Sequence, residues 1–296
     1  MDAVLTRPDL REAREWGRLC AVAGHAQRDL ADCAGRYRGL FAARPFDPGL
    51  FATLAFACAY GAAWLPPDRL RVATRTCLWC FGLDWLVDYK ARSRAEVRGV
   101  VDACLAVADG GDPAPGDDLA RFLADLRDEL ADRPDFAALR PIWRDELRRM
   151  LEAMAREWDW RADPHRPSPT FEEYLANADN LGFSFAFATH LCLTGTAYTA
   201  LDLAELRAAG RAVQRVIRLL NDLGTYERDV SWGDLNVLLL GTTRAQVSAH
   251  VAALTDRCGE LIGPLRARHP ELTGYLSRQL GFNQGFYRIS DYWGRR

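Results

Sequence analysis

Helical periodicity runs through the whole chain, and strand signals are nearly absent. Apolar residues recur at three- and four-residue steps, as at Trp16, Leu19, Cys20 and Ala23, which is the spacing of one helix face. No alternating run bounded by Asn-Gly or Asp-Gly marks a hairpin. Helices are expected over about 9–37, 48–64, 69–90, 94–108, 117–132, 135–159 with a restart at Pro141, 170–194, 203–229, 243–268 (bent near Pro264) and 271–292. Thr170 with Glu173 three residues on forms a capping box, and Thr243 caps a later helix. Leu-Pro-Pro-Asp at 65–68 breaks the chain, Gly110-Gly111-Asp112-Pro113 to Gly116 is a loop, and Pro164, Pro167 and Pro169 mark a linker. No composition shift, repeat or low-complexity tract divides the series. Residues 1–296 therefore read as one all-α domain of about ten helices, with room for an apolar cavity between them.

Composition narrows the function classes. With 49% hydrophobic residues the chain has the apolar side chains that a disordered segment lacks. A net charge of −2 offers no positive excess to grip a phosphate backbone, so nucleic acid is not expected as a partner. Met1 to Glu15 has no apolar run and does not read as a signal peptide. Every apolar stretch is interrupted by charge before it could span a bilayer, so a cytoplasmic protein is expected. The eight cysteines are scattered through helix-like segments and are expected to be reduced and buried. Cys77-Leu-Trp-Cys80 is a lone CxxC with no second pair, too few ligands for zinc.

Two polar clusters interrupt apolar helices. Asp84 and Asp88 are four apart and share one face of a helix whose other neighbours are apolar nearly all round. A buried carboxylate needs a cation or must take up a proton. Two stacked carboxylates at a cavity mouth would suit Mg²⁺; a solvated stripe is the plainer alternative. Further on, Asn221, Thr225 and Asp229 stand at i, i+4 and i+8 and offer an amide, a hydroxyl and a carboxylate oxygen in one column. Arg228 beside that column can reach a phosphate, and Arg218 lies on the same face three residues before Asn221.

Asn221-Asp-x-x-Thr225-x-x-Arg228-Asp229 resembles the second metal motif of class I terpene synthases, and Gly233-Asp234-Leu235-Asn236-Val237 continues the resemblance. Asp84-Trp-Leu-Val-Asp88 falls where that family's aspartate-rich motif belongs. The match covers about 51–292. The resemblance implies a class I terpene synthase-like helical bundle around a central apolar cavity. It implies Mg²⁺, three ions per site, held by Asp84, Asp88, Asn221, Thr225 and Asp229, with an isoprenoid diphosphate as substrate. Arg228 is the implied diphosphate ligand, and Arg288 and Tyr292 are candidates because many members end in an Arg-Tyr pair that closes over the diphosphate; an ordinary exposed helix-end arginine is the alternative for Arg288. Arg218, by its helix face, is a second candidate. Gly182 is an expected helix break. Phe81, three residues before Asp84, and Phe185, among the aromatics after Gly182, are the expected cavity aromatics; core packing is the plainer role for Phe185. A homodimer is compatible with the resemblance.

Three departures from the family pattern stand out. Trp85 replaces the second aspartate of the first motif, and the second motif ends in Asp229 where glutamate is usual. No Arg or Lys lies between Arg166 and Arg207, where bacterial sesquiterpene synthases carry a diphosphate-sensing arginine. The Tyr174-Leu-Ala-Asn177 pattern without that arginine resembles the labdane-related, kaurene synthase-like diterpene branch. That branch implies a bicyclic C20 diphosphate made by an upstream class II cyclase. A sesquiterpene synthase using farnesyl diphosphate, a chain-elongating prenyltransferase and a non-catalytic isoprenoid-binding relative are the rival readings. Lys90, the single lysine, is poor support for the prenyltransferase.

Overall fold

Caps and breakers set most of the helix ends. A computed structural model describes residues 8–43, 45–163, 165, 167–195 and 197–294. Met1–Arg7, Pro164 of the expected linker and Arg166 lie outside the described residues. The α-helices are α1 (Pro8–Arg36), α2 (Arg38–Phe41), α3 (Pro48–Gly61), α4 (Pro67–Trp85), α5 (Arg94–Ala108), α6 (Asp118–Ala131), α7 (Phe136–Ala162), α8 (Phe171–Ala176), α9 (Phe183–Thr194), α10 (Ala200–Trp232), α11 (Arg244–Ile262) and α12 (Pro270–Phe286). No strand occurs among the described residues. The all-α expectation therefore holds.

Side chains satisfy the orphan amides at many helix starts. Asp47, Ser93 and Asp117 accept from the backbone of the first turns of α3, α5 and α6. Thr170/Glu173, Thr199/Asp202 and Thr243/Gln246 each form the reciprocal box. Such caps contribute about 1 kcal/mol each. The Thr199 box starts α10 earlier than the apolar pattern suggested. Pro141 does not restart a helix; α7 runs through it unbroken.

Three expected helices end early, for local reasons. The 170–194 segment stops at Asn177, continues as a 3₁₀ turn over Ala178–Leu181, and restarts as α9 behind Gly182, whose φ of +74° suits only glycine comfortably. Pro264, in a 3₁₀ turn, follows the end of α11 at Ile262. The last helix stops at Phe286 rather than Tyr292, and the chain turns from there.

One apolar cluster runs from Ala23 on α1 to Tyr287 after α12. Trp79 and Trp143 are its largest buried side chains. Each indole N–H is satisfied, Trp79 donating to the Leu119 carbonyl at 2.9 Å and Trp143 to Thr189 Oγ1 at 3.3 Å. α9 is buried all along Ser184–Leu193, packed between α4, α7, α10 and α12. A buried helix of this kind is mostly apolar on every side, and in α9 Ser184, Thr189 and His190 are the buried polar exceptions. The helices that carry the two polar clusters, α4 and α10, both pack on α9.

Candidate active site

A cavity of about 130 Å³ opens between α4, α7, the 3₁₀ turn before Gly182, α10 and the segment after α12. Asp84 and Asp88 line one wall, Arg218, Asn221, Arg228 and Asp229 the other, and Phe81 and Tyr292 lie between them. The sequence-expected polar residues are therefore brought to one place, with the differences given below.

On the first wall, α4 gives way to a π-helical turn over Leu86–Lys90, closed by the Ala91 amide donating to the Leu86 carbonyl at 2.8 Å. Such turns recur at functional sites because they re-aim side chains. Asp84 and Asp88 both face the cavity. Burial pushes both carboxyls up from the usual range, Asp84 to about 6, and the charge of Asp84 adds to the rise at Asp88. Arg161 on α7 offsets part of this: its guanidinium lies 2.9 Å from Asp88 Oδ1 and donates to Asp234 Oδ1 at 2.8 Å. Tyr89 donates to the other oxygen of Asp234 at 2.5 Å. Trp85, in the place of the family's second aspartate, packs on Phe46 and Trp293.

On the second wall, Asp229 is buried and fully partnered. Its Oδ2 lies 2.6 Å from Thr225 Oγ1 and accepts from Asn236 Nδ2 at 2.8 Å, while its Oδ1 accepts from Arg228 at 2.9 Å. Thr225 Oγ1 is also 2.8 Å from the Asn221 carbonyl. Asn221 and Asp229 line the cavity, whereas Thr225 is buried behind them. Arg228 reaches Asp291 on the C-terminal segment at 3.0 Å. Arg218 is buried and tied to Glu157 at 3.0 Å and to the Tyr174 hydroxyl at 2.7 Å. Tyr174 in turn donates to Asp222, whose carboxyl burial pushes up to about 7.

Two expectations fail on placement. Arg288 is exposed and does not line the cavity, because α12 ends at Phe286 and the i, i+4 relation to Tyr292 is lost in the turn. Asp291 is the residue of that segment that reaches a site arginine. Phe185 is fully buried in the core between Trp79 and Trp143, on the far side of α9 from the opening. Gly182 does break the helix. A Cβ there would come within 2.8 Å of Met150 Sδ and 3.2 Å of Cys80 Sγ, both cavity residues. Gln214 on α10 holds the break, accepting from the Ser184 amide and donating to Asp179, both at 2.8 Å.

Sequence reasoning missed the α7 wall. Met150, Met154, Glu157 and Arg161 line the cavity at helical spacing, and that i, i+4, i+7, i+11 stripe was the available signal. The cysteines are free, and Cys33, Cys58, Cys104, Cys192 and Cys258 are buried, while Cys20 is exposed.

Among the described residues no three His, Cys, Asp or Glu side chains converge on one ion position, and no helix is long and apolar enough to cross a membrane. The donor set still fits a hard divalent cation. Asp84 and Asp88 are half-buried acids lacking a cation of their own beyond Arg161, and Asn221 and Asp229 face them with neutral and anionic oxygens. Mg²⁺ retains waters and ligand oxygens, so two protein oxygens per wall suffice.

An all-α fold with facing aspartate and Asn-Thr-Asp walls around one cavity defines the class I terpene synthases, lyases that act on isoprenoid diphosphates. The chain belongs to the family described as "Terpene synthase family 2, C-terminal metal binding", whose sequence model matches residues 75–257. It is 29% identical over 280 residues to an ent-pimara-9(11),15-diene synthase of Streptomyces sp. (strain KO-3988), covering 90% of each chain. Among solved structures it resembles 2-methylisoborneol synthase from Streptomyces coelicolor A3(2), in complex with Mg²⁺ and geranyl-S-thiolodiphosphate. The TM-score is 0.72 at 16% identity, over 93% of both chains. Germacradien-4-ol synthase from Streptomyces citricolor gives 0.72 at 15% identity, over 90% of this chain and 94% of that one. These likenesses establish the fold.

Proposed function

We propose that the protein is a Mg²⁺-dependent diterpene synthase that ionises a C20 allylic diphosphate, with a bicyclic labdane-type diphosphate preferred. The observation that carries this reading is the facing of Asp84 and Asp88 by Asn221, Asp229 and Arg228 across one cavity. Two further features favour C20 over C15. The relative that covers 90% of the chain is named for a diterpene hydrocarbon, and 170–194 contains no Arg or Lys. A preformed bicycle loses less conformational freedom on binding than a linear chain, so apolar burial can hold it with fewer diphosphate contacts. An upstream class II cyclase that makes the bicycle, a homodimer and a cytoplasmic location belong to the same proposal.

Asp84, Asp88, Asn221, Thr225 and Asp229 would hold the metal, three ions in all. Bound Mg²⁺ would supply the positive charge that makes diphosphate a good leaving group. Arg228, Arg161 and Arg218 line the same mouth and are placed to hold diphosphate oxygens as the C–O bond lengthens. Thr225 and Asn236 keep the Asp229 carboxylate aimed at the opening. Phe81 and Tyr292, with ring centroids 5.5 Å apart, offer aromatic faces to a carbocation and exclude water from it.

Incubation with C10, C15, linear C20 and bicyclic C20 diphosphates, with product analysis under matched conditions, tests the substrate. Turnover of a bicyclic C20 diphosphate well above the others is expected. Efficient cyclisation of the linear C15 substrate with no turnover of any bicycle would return the protein to the sesquiterpene branch.

A further inference from the structure

His190 lies on α9, fully buried. Neither ring nitrogen has a hydrogen-bond partner among the described residues. Polar atoms in a protein interior are almost always paired, so an imidazole with two idle nitrogens calls for a reason. Its ring packs against Tyr275 at 4.3 Å between centroids and lies 6.3 Å from Trp64. Tyr275 also stacks on Phe183, with centroids 5.9 Å apart and planes 13° from parallel.

This aromatic layer lies behind the present cavity lining, which includes none of His190, Phe183, Tyr275 and Trp64. Phe183 directly follows Gly182, which touches the cavity residues Met150 and Cys80. On α4, Cys77 lies one turn below Phe81 and two turns, about 10 Å, below Asp84. Tyr292, a cavity residue, is within electrostatic reach of Cys77, Cys58 and Tyr275. The apolar layer is therefore the next shell beyond Phe81, Cys80 and Tyr292, and becomes the floor when those side chains give way. A volume of about 130 Å³ is below the ~300 Å³ at which small-molecule sites begin. With the diphosphate held at the mouth, a C15 or C20 chain must displace cavity side chains and extend toward this floor.

The floor offers one good proton acceptor. The hydrogen bond to Cys77, with burial, pushes the Cys58 thiol up, and burial pushes the Tyr275 hydroxyl up, so both stay protonated. Burial pushes the His190 imidazole down to about 3, so it is neutral with one lone pair free. The C–H bonds beside a carbocation are far stronger acids than an imidazolium of that kind. The carboxylates lie at the other end, around the mouth.

We propose that His190 is a catalytic base that takes the proton ending the carbocation cascade, in a chamber floored by Phe183, Tyr275 and Trp64. This rests on the cavity holding the hydrocarbon of an allylic diphosphate. A C–H bond adjacent to the final cationic carbon breaks, and its electron pair becomes the second bond of the alkene. The proton forms a new N–H bond on His190, and the positive charge passes from carbon to the imidazolium. The buried imidazolium gives its proton up to water or to the departing diphosphate when the cavity opens.

The test uses the full chain with Mg²⁺ and whichever of the C10, C15, linear C20 and bicyclic C20 diphosphates the wild type turns over fastest. Diphosphate release and the terpene profile are measured together for the wild type, His190→Phe and His190→Gln. Both substitutions remove the basic nitrogen; the first keeps an apolar ring and the second keeps polarity, so the Gln variant carries the test if the Phe variant does not fold. In each variant the main alkene formed per diphosphate released should fall about 10-fold or more, replaced by products quenched earlier. A folded variant with the wild-type product ratio would overturn the assignment, as would a wild-type main product that is an alcohol. A wild type releasing no diphosphate from any of the four would instead overturn the reading of the cavity, and His190 with it.

Discussion

The two walls of the cavity solve the problem of buried carboxylates in opposite ways. Asp229 on α10 is fully provided for: a hydroxyl, an amide and a guanidinium meet its two oxygens. Asp84 and Asp88 on the α4 side stand together, with Arg161 on Asp88 as the ion pair that offsets them. A partnered carboxylate is ordered in advance, but a cation arriving there must compete with Arg228. An under-partnered pair is held at a cost in charge repulsion that an arriving cation relieves. On the proposed function, the contrast would make the α4 wall the one that gains most from a cation, and the α10 wall the one that links a cation to an arginine. A cation held by Asp88 and Asp229 would compete with Arg161 and Arg228, the guanidiniums now paired with them, and would leave those arginines free to bind diphosphate oxygens.

The strongest way to break this contrast is Asp84→Ala. With no other carboxylate on its turn of α4, turnover should fall on the order of 1,000-fold, while circular dichroism shows an intact helical fold. Retained activity with unchanged Mg²⁺ dependence would remove the α4 wall from the metal site. Asp229→Asn comes next. It keeps the shape but removes the charge that holds Arg228, and a loss of about 100-fold is expected, with Asp229→Glu milder. Steady-state kinetics on the two variants decide whether charge or length matters at that position; a fully active Asn variant beside a dead Glu variant would refute the charge argument. Arg161→Met should raise KM, and the Kd for inorganic diphosphate with Mg²⁺ measured calorimetrically, by about 10-fold, since one charged hydrogen-bonding group is lost.

The smallest effect sharpens the comparison through pH. Carboxyls raised in the folded protein bind more protons than in the unfolded chain, so their contribution to stability is greatest at low pH. It is lost as pH rises through the folded values. In metal-free protein, Asp84→Asn should therefore raise Tm by a few degrees more at about pH 8 than at about pH 5. For the same reason Mg²⁺ affinity should fall several-fold over that range as pH drops, since the ion then displaces a proton. Thermal melts and Mg²⁺ titrations at the two pH values check both; equal shifts at both would show that the pair is ionised and satisfied without metal.

Much of this molecule was legible in the order of its residues. Helix starts could be read at Thr170 and Thr243 because a capping box is a local bond between residues three apart. The polar columns on α4 and α10 were legible because the helical repeat alone decides which residues share a face. The break at Gly182 is expected only through the family resemblance, since the local pattern reads as one helix over 170–194; its φ of +74° is what the structure added. Other features depended on packing. Where α12 stops decided that Asp291, and not Arg288, meets the site. α9 carries apolar side chains on nearly every side, so its sequence does not say which aromatic faces a cavity, and Phe185 falls to the core. Arg161 met Asp88 and Asp234 across elements far apart in the chain. Local sequence determines elements and faces through bonds that span a turn. Which faces meet is a property of the whole core, because it follows from the fit of many side chains at once.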